Sequence, residues 1–448
     1  MKTKLNRLTY PLLGFLILLS GCNQNNEEPF EEVKLDNELL TLLHEADPDL
    51  GVEGFMLPDP ESLAELPQDP RNPITPEKVA LGRMLFHETA LATEALKAEG
   101  MLTYSCASCH NPKAAMQSGR RQGIAEGGSG FGLSGESREK NPVYLGDEVD
   151  AQPIRVPSTL NVAYQKNLLW NGMFGATGLN AGTEALWTGD ASVNLLGFEG
   201  AESQAIKGLE VHRMNADYHL LDQMGYMSSL RNAFPGVADD TLTSRVYMGL
   251  AIAAYVRTIT TYEAPFQQWL RGNRSALNDQ QKQGAILFFG KANCVNCHAG
   301  PGLNNMEFAA VGMEDLSGPD IFRADVIGSS LGRGGFTGNT EDNFKFKVPQ
   351  LYNLKDAPFY GHGSSFDNLE DVIQYFNLAE PQNTINPFRL DERFEPLGLS
   401  DEEVQDLLAF VRDGLYDANL DRHIPQAILS NQCFPNADEV SKVDLGCN

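Results

Sequence analysis

Long apolar runs are scarce in this sequence. The run near its start, Leu12 to Leu19, is too short to span a bilayer, and no later run is long enough either. A transmembrane anchor is therefore not expected, and membrane attachment would have to come from a lipid. Positive charge is also scarce, with 34 Lys and Arg against 60 Asp and Glu and a formal net charge of -26. That sign argues against nucleic acid as a partner and suits a basic one. Strand signals are sparse, which leaves a mainly α fold. Histidine is limited to eight residues, and none falls between 111 and 154.

The first residues concern the compartment. Lys2, Lys4 and Arg7 precede the short apolar run, in the pattern of a secretory signal. The run ends Leu19-Ser20-Gly21-Cys22, which resembles a bacterial lipobox. Residues 1–21 are read as a lipoprotein signal peptide, with Cys22 lipidated and the protein held on the periplasmic side of the cell envelope. Seven cysteines divide into Cys22, the pairs Cys106/Cys109 and Cys294/Cys297, and a late pair, Cys433 and Cys447. In an oxidising compartment that late pair is a candidate disulfide.

Residues 22–73 are acidic and Pro-rich and read as a tether. Order is expected from Ile74-Thr75-Pro76, where Thr75 caps a helix running toward Leu85-Phe86. A second helix covers roughly 242 to 262. A third starts at Ser400, whose capping box is completed by Glu403. The stretch Gly82-Arg83-Met84-Leu85-Phe86 is echoed by Gly284-Ala285-Ile286-Leu287-Phe288. Two related helical domains follow, 74–265 and 266–425, with a tail at 426–448. The Gly-rich stretches 119–150 and 172–200 read as long irregular surface loops around a site.

Each echoed stretch leads into the same pentapeptide pattern, Cys106-Ala107-Ser108-Cys109-His110 and Cys294-Val295-Asn296-Cys297-His298. Two thiols one turn apart form thioethers to haem vinyl groups, and the adjacent histidine reaches the iron. Zinc is the competing reading, but its ligand pairs normally lie closer in sequence and give no reason for a His after each pair. Two covalently bound haem c groups are therefore expected, with His110 and His298 as iron ligands.

At these residues the sequence resembles the bacterial di-haem cytochrome c peroxidases, a group that includes the MauG-type oxidases. The resemblance runs from about Leu81 to Leu415, through Arg155 to Asn161, Trp170-Asn171-Gly172, Gln204-Ala205, Ala251 to Thr258, Lys347 to Asn353 and Ala357 to Tyr360. It implies two cytochrome c-like domains, with hydrogen peroxide reduced at the N-terminal haem. Electrons would come from a small cytochrome c or a cupredoxin and enter at the C-terminal haem. Trp170 matches the family's tryptophan between the haems, and Gln204 precedes the family's distal acid/base. Asn161 matches an Asn that binds calcium between the domains, together with carbonyls near Ala357-Pro358. Family members are often dimers, so a homodimer is also implied.

Three departures stand out. Arg213 falls where the family has its distal Glu, so Glu210 and His212 are the substitutes the segment offers. Some two dozen residues are inserted between Trp170 and Gln204. The helix expected to supply the second iron's sixth ligand has no Met, and alignment puts either Phe376 or Tyr375 at that place. Tyr375 would favour a MauG-like oxidase acting on a protein side chain, and two closed irons would mean a plain electron carrier. Because 111 to 154 lacks histidine, with Met116 the one soft ligand there, the N-terminal iron is expected to be open in the ferric protein. The sequence predicts two haems per chain by pyridine haemochrome analysis, and a count below two would refute the reading of the paired motifs.

Overall fold

The computed structural model describes residues 30–323, 328–383 and 389–447. The signal at 1–21 and Cys22 lie outside the described residues. The fold is mainly helical, and no helix among the described residues is long and apolar enough to cross a membrane. Among the described residues the sheets are two short antiparallel pairs, Gly128–Ser129 with Glu139–Lys140 and Phe308–Ala309 with Phe346–Lys347.

Two hydrophobic cores are each built on a pair of crossing helices. In the first, the helix Pro76–His87 starts where expected, with the Thr75 side chain accepting from Lys78 N–H and proline in the first turn. It buries Leu81, Leu85 and Phe86 against Met248, Ala251 and Tyr255 of the helix Arg245–Val256. In the second core the helix Asp279–Phe289, capped by Asn278 and Gln281, lies against the helix Asp401–Ala409. That partner helix opens with the expected Ser400/Glu403 capping box. Phe410, just beyond it, meets Phe266 and Phe288 edge-on, with ring centroids 5.2 and 5.5 Å apart.

The echoed glycines explain the repeat. A Cβ on Gly82 would overlap the Ala251 carbonyl oxygen and sit 2.9 Å from Tyr255 Cβ, while one on Gly284 would overlap the Asp406 carbonyl and sit 2.8 Å from Phe410 Cβ. Glycine inside a helix costs roughly 0.5–1 kcal/mol relative to alanine. At both crossings it lets one helix rest on the backbone of the next, so what repeats in the sequence is a mode of helix packing.

Both ends of the chain depart from the sequence reading. Residues 30–57 are not a tether: the helix Phe30–Ala46 buries Leu39 and Leu43 completely, and Phe55 and Leu57 follow them into the second core. Asp36 accepts from Trp269 Nε1 at 2.7 Å and pairs with Lys282 at 3.0 Å. The acidic character that suggested a tether thus includes a carboxylate with a structural role. The tail is equally engaged, but with the first core. Ser430 Oγ donates to Glu88 at 2.6 Å, Arg138 pairs with Asp438 at 3.2 Å, and Cys433 and Cys447 form a disulfide.

The Gly-rich segments are pinned from within. Asn180 and Asn194 are fully buried, donating to the Gly172, Met173 and Gly175 carbonyls, and Arg138 and Glu126 are buried in the earlier segment. These stretches form polar packing around side chains, more than loose surface loop. Truncating a fully buried leucine typically costs ~2–5 kcal/mol. Leu43→Ala should destabilise the full chain by about that amount in urea unfolding, and a change within ~0.5 kcal/mol would return residues 30–57 to the role of tether.

Candidate active site

Both pentapeptides fold as one tight turn. Cys106–Ser108 and Cys294–Asn296 are single 3-10 turns, and the amides of His110 and His298 close back onto the Cys106 and Cys294 carbonyls at 3.2 and 2.9 Å. Each turn presents two thiols and an imidazole together. His110 Nδ1 lies 3.1 Å from the Met116 carbonyl and His298 Nδ1 lies 3.1 Å from the Leu303 carbonyl. An Nδ1–H donated to each carbonyl fixes the ring and leaves Nε2 as the ligating nitrogen. Burial pushes both imidazoles down to about 4, so they stay neutral.

The four motif cysteines are not in disulfides, and burial pushes the Cys106, Cys109 and Cys294 thiols up to about 12. No group of three or more His, Cys, Asp or Glu suited to a metal ion occurs among the described residues. Free, partly buried thiol pairs, each followed by a neutral imidazole, fit thioether-linked haem.

The second motif opens on a cavity of about 560 Å³, lined by Cys297 and His298 with Val348, Leu351, Val372 and Phe376. That lies within the ~300–1,000 Å³ common for cofactor sites. Arg155 and Lys347 also line it. Burial pushes Arg155 down to about 9 and Lys347 down to about 7. Their side-chain partners are neutral: Gln117 and Ser364 for Arg155, and Gln165 for Lys347. Arg155 Nη2 is buried with no hydrogen-bond partner at all. Buried cations held only by neutral groups are costly unless an anion joins them. The propionates of a haem are anions of the right kind, so the cavity fits that cofactor in charge and in apolar lining.

A continuous bonded path links the two sites. The Met116 carbonyl holds His110, the next residue Gln117 accepts from Arg155 Nε at 2.9 Å, and the Arg155 carbonyl accepts from Trp170 Nε1 at 2.8 Å. Trp170 stands in the wall of the second cavity, edge-on to His362 at 6.2 Å between ring centroids.

Beside the first motif, His212 Nδ1 lies 2.9 Å from Asp150 Oδ2, and Tyr104 Oη donates to the His212 carbonyl at 2.8 Å. Burial alone would lower the His212 imidazole, but the Asp150 carboxylate outweighs it and the net shift is upward. His212 and Asp150 are near enough to the motif to act electrostatically on His110 and Cys109 respectively. Arg213, where the family Glu is absent, pairs with the fully buried Glu126, which also accepts from Tyr144 Oη at 2.9 Å.

Several expected site residues stand elsewhere. Glu210 is exposed and paired with Lys207 at 2.7 Å, so the helix turns it to solvent and away from the motif. Gln204 sits partly buried on the preceding helix, Gly200–Val211, and no hydrogen bond among the described residues joins it to the His212–Asp150 pair. Tyr375 is not on the cavity wall: its hydroxyl donates to the Val311 carbonyl at 2.5 Å, and its neighbour Phe376 faces the cavity instead. Asn161 is fully buried with its amide committed to Thr261, donating to Oγ1 at 2.9 Å and accepting from N–H at 3.1 Å. Met116 is buried, and its carbonyl serves His110 from the ring's own side. Asp150 and Arg155 had no assigned role in the sequence reading. Asp150 lies 62 positions before its partner, and no local pattern marks it.

Comparison with known proteins agrees with this geometry. Residues 76–275 match the family described as di-haem cytochrome c peroxidase. The methylamine utilization protein MauG of Methylorubrum extorquens is 29% identical over 354 residues, covering 79% of this chain and 81% of that protein. The cytochrome-c peroxidase IdrP1 of Denitromonas iodatirespirans is 26% identical over 371 residues, covering 78% of this chain and 84% of that protein. A crystal structure of a MauG-like protein associated with microbial copper homeostasis superposes with a TM-score of 0.54 at 23% identity, covering 81% of this chain and 95% of that one, which establishes likeness of fold. In sequence the chain is thus similar, over more than three quarters of its length, to proteins named as MauG and as cytochrome-c peroxidase, and residues 76–275 of it match the di-haem cytochrome c peroxidase family.

Proposed function

We propose that the protein is a periplasmic peroxidase that reduces hydrogen peroxide to water, drawing electrons from a small cytochrome c or a cupredoxin. In this reading the peroxide site lies in residues 74–265 and electrons enter through residues 266–425. The observation that carries it is the His212–Asp150 pair beside the first haem motif. A haem bound at the first motif would supply the iron for splitting a peroxide O–O bond, and the two haems would pass on the electrons taken from the donor protein. The chain must move a proton from one peroxide oxygen to the other, so that the second leaves as water. His212 suits that role, because Nδ1 is anchored on Asp150, which leaves Nε2 as the nitrogen to accept the proton and return it. The path through Gln117, Arg155 and Trp170 supplies a packed route for electrons from the second site.

Tyr375 is the residue that would favour oxidation of a protein side chain, and its bond to Val311 withdraws that support. Lipid attachment at Cys22 and pairing of two copies belong to this proposal and rest on the sequence resemblance. A calcium ion would have to use the remaining lone pair of Asn161 Oδ1 with backbone carbonyls, and nothing in the proton or electron route depends on it.

Steady-state oxidation of reduced cytochrome c by peroxide tests the proposal, since a pure carrier would show no peroxide-dependent turnover. His212→Gln should lower the rate by ~10²–10⁴-fold, the usual share of a general acid/base. Only neutral His212 accepts a proton, so the rate should rise with pH through its raised pKa. Asp150→Asn removes the raising charge, so that limb should move to lower pH. Wild-type rates in His212→Gln would remove the residue from the mechanism.

A further inference from the structure

Beyond Cys297, which a thioether bond to haem would use, the soft donor among the described residues lining the second cavity is the Met313 thioether. Tyr360 Oη donates to the Leu354 carbonyl at 2.9 Å. His362 Nε2 lies 3.0 Å from Asp315 Oδ1, and its ring stacks on Phe346 at 3.5 Å. The Lys347 amine is held by Gln165. Phe376 reaches the cavity but carries no donor atom, and Tyr375 is turned to Val311.

Met313 lines the same cavity as His298. Its thioether lies 3.0 Å from the point where a Cβ on Gly361 would stand, and Gly361 has a φ of +79°. Glycine at that position suits both the left-handed backbone and the sulfur packed against it. The segment carrying Met313 is fixed at each residue. Val311 accepts from Tyr375 Oη at 2.5 Å, Gly312 accepts from Asn383 N–H at 2.9 Å, and the Met313 carbonyl accepts from Asn383 Nδ2 at 2.9 Å. The first of these bonds ties the segment to the helix Leu369–Leu378, the helix that sends Phe376 to the cavity. A methionine merely filling a loop gap would need neither this backbone bracing nor a place on the wall of a haem-sized cavity.

We propose that Met313 Sδ is the second protein ligand of the C-terminal haem iron, complementing His298; this rests on the di-haem reading above. A thioether is a soft donor that favours ferrous iron and raises the reduction potential of a histidine-ligated haem. It also closes that iron to peroxide. The second haem then accepts and passes on electrons, while peroxide chemistry is confined to the first. Tyr375 instead serves by holding Val311 in place.

The test uses the full chain with its haems attached, and the haem count comes first: fewer than two per chain overturns the di-haem reading itself. With two haems present, the ferric wild type should show the far-red sulfur-to-iron charge-transfer band and a low-spin electron paramagnetic resonance signal. Absence of that band in the wild type overturns the assignment without any variant. Met313→Leu keeps the apolar volume and removes the sulfur. It should lose the band, convert one haem to high spin and lower one of the two midpoint potentials while leaving the other unchanged. Met306→Leu, which alters a methionine outside the cavity wall, should change none of these. A Met313→Leu protein with wild-type spectrum and potentials, or loss of the band in Met306→Leu, would reject Met313 as the ligand.

Discussion

The arrangement of both sites depends on Arg155, a buried cation that belongs by sequence to the first half of the chain and lies in the cavity of the second. Its backbone N–H donates to the His362 carbonyl at 2.8 Å, its carbonyl holds Trp170, and its Nε reaches Gln117, the neighbour of the residue that orients His110. A guanidinium buried among neutral partners is unfavourable, and burial pulls it down to about 9. An anionic cofactor changes the sign of that contribution. The cavity is thus adapted to a haem in its electrostatics as much as in its shape, and the same side chain places the tryptophan on the route between the sites.

The crossed ends of the chain hold the remainder in register. The helix Phe30–Ala46 belongs to the core of the second half, while the tail from Ser430 to Cys447 belongs to that of the first. Tail and motif are in direct contact, because Ser105 and Ser108 both donate to the Pro435 carbonyl at 2.9 and 3.2 Å. Neither half completes its surroundings from its own stretch of sequence. The glycine crossings at Gly82 and Gly284 place each motif-bearing segment at the same depth against its partner helix, so two similar turns emerge from cores that otherwise share little.

The two sites diverge in what surrounds the iron-binding histidine. Around the first the residues are titratable and coupled: His212 with Asp150, Arg213 with Glu126, and Tyr104 and Tyr144 beside them. Around the second they are largely apolar, with the buried cations Arg155 and Lys347 and the thioether of Met313 among them. Proton movement needs groups of the former kind, whereas a haem that only relays electrons is best kept dry and closed. In the function proposed, this asymmetry would give similar turns different chemistry.

The sequence by itself determined the helical class, the capped starts at Thr75 and Ser400, the paired glycines and both haem-attachment turns. Each of these is a local property: a cap, a crossing glycine or a five-residue turn is specified within a few positions of itself. It also offered Glu210 and His212 as candidates near the first motif and Tyr375 or Phe376 at the second site's helix position. Only the tertiary structure separated those pairs, because helix direction decides which of two nearby side chains meets solvent or the cavity. It alone revealed Asp150, which is distant in sequence from His212, and the buried role of an acidic leader whose few leucines become meaningful only against a core more than two hundred residues away. Long-range burial and charge pairing leave no local signature, since either partner alone resembles an ordinary surface residue.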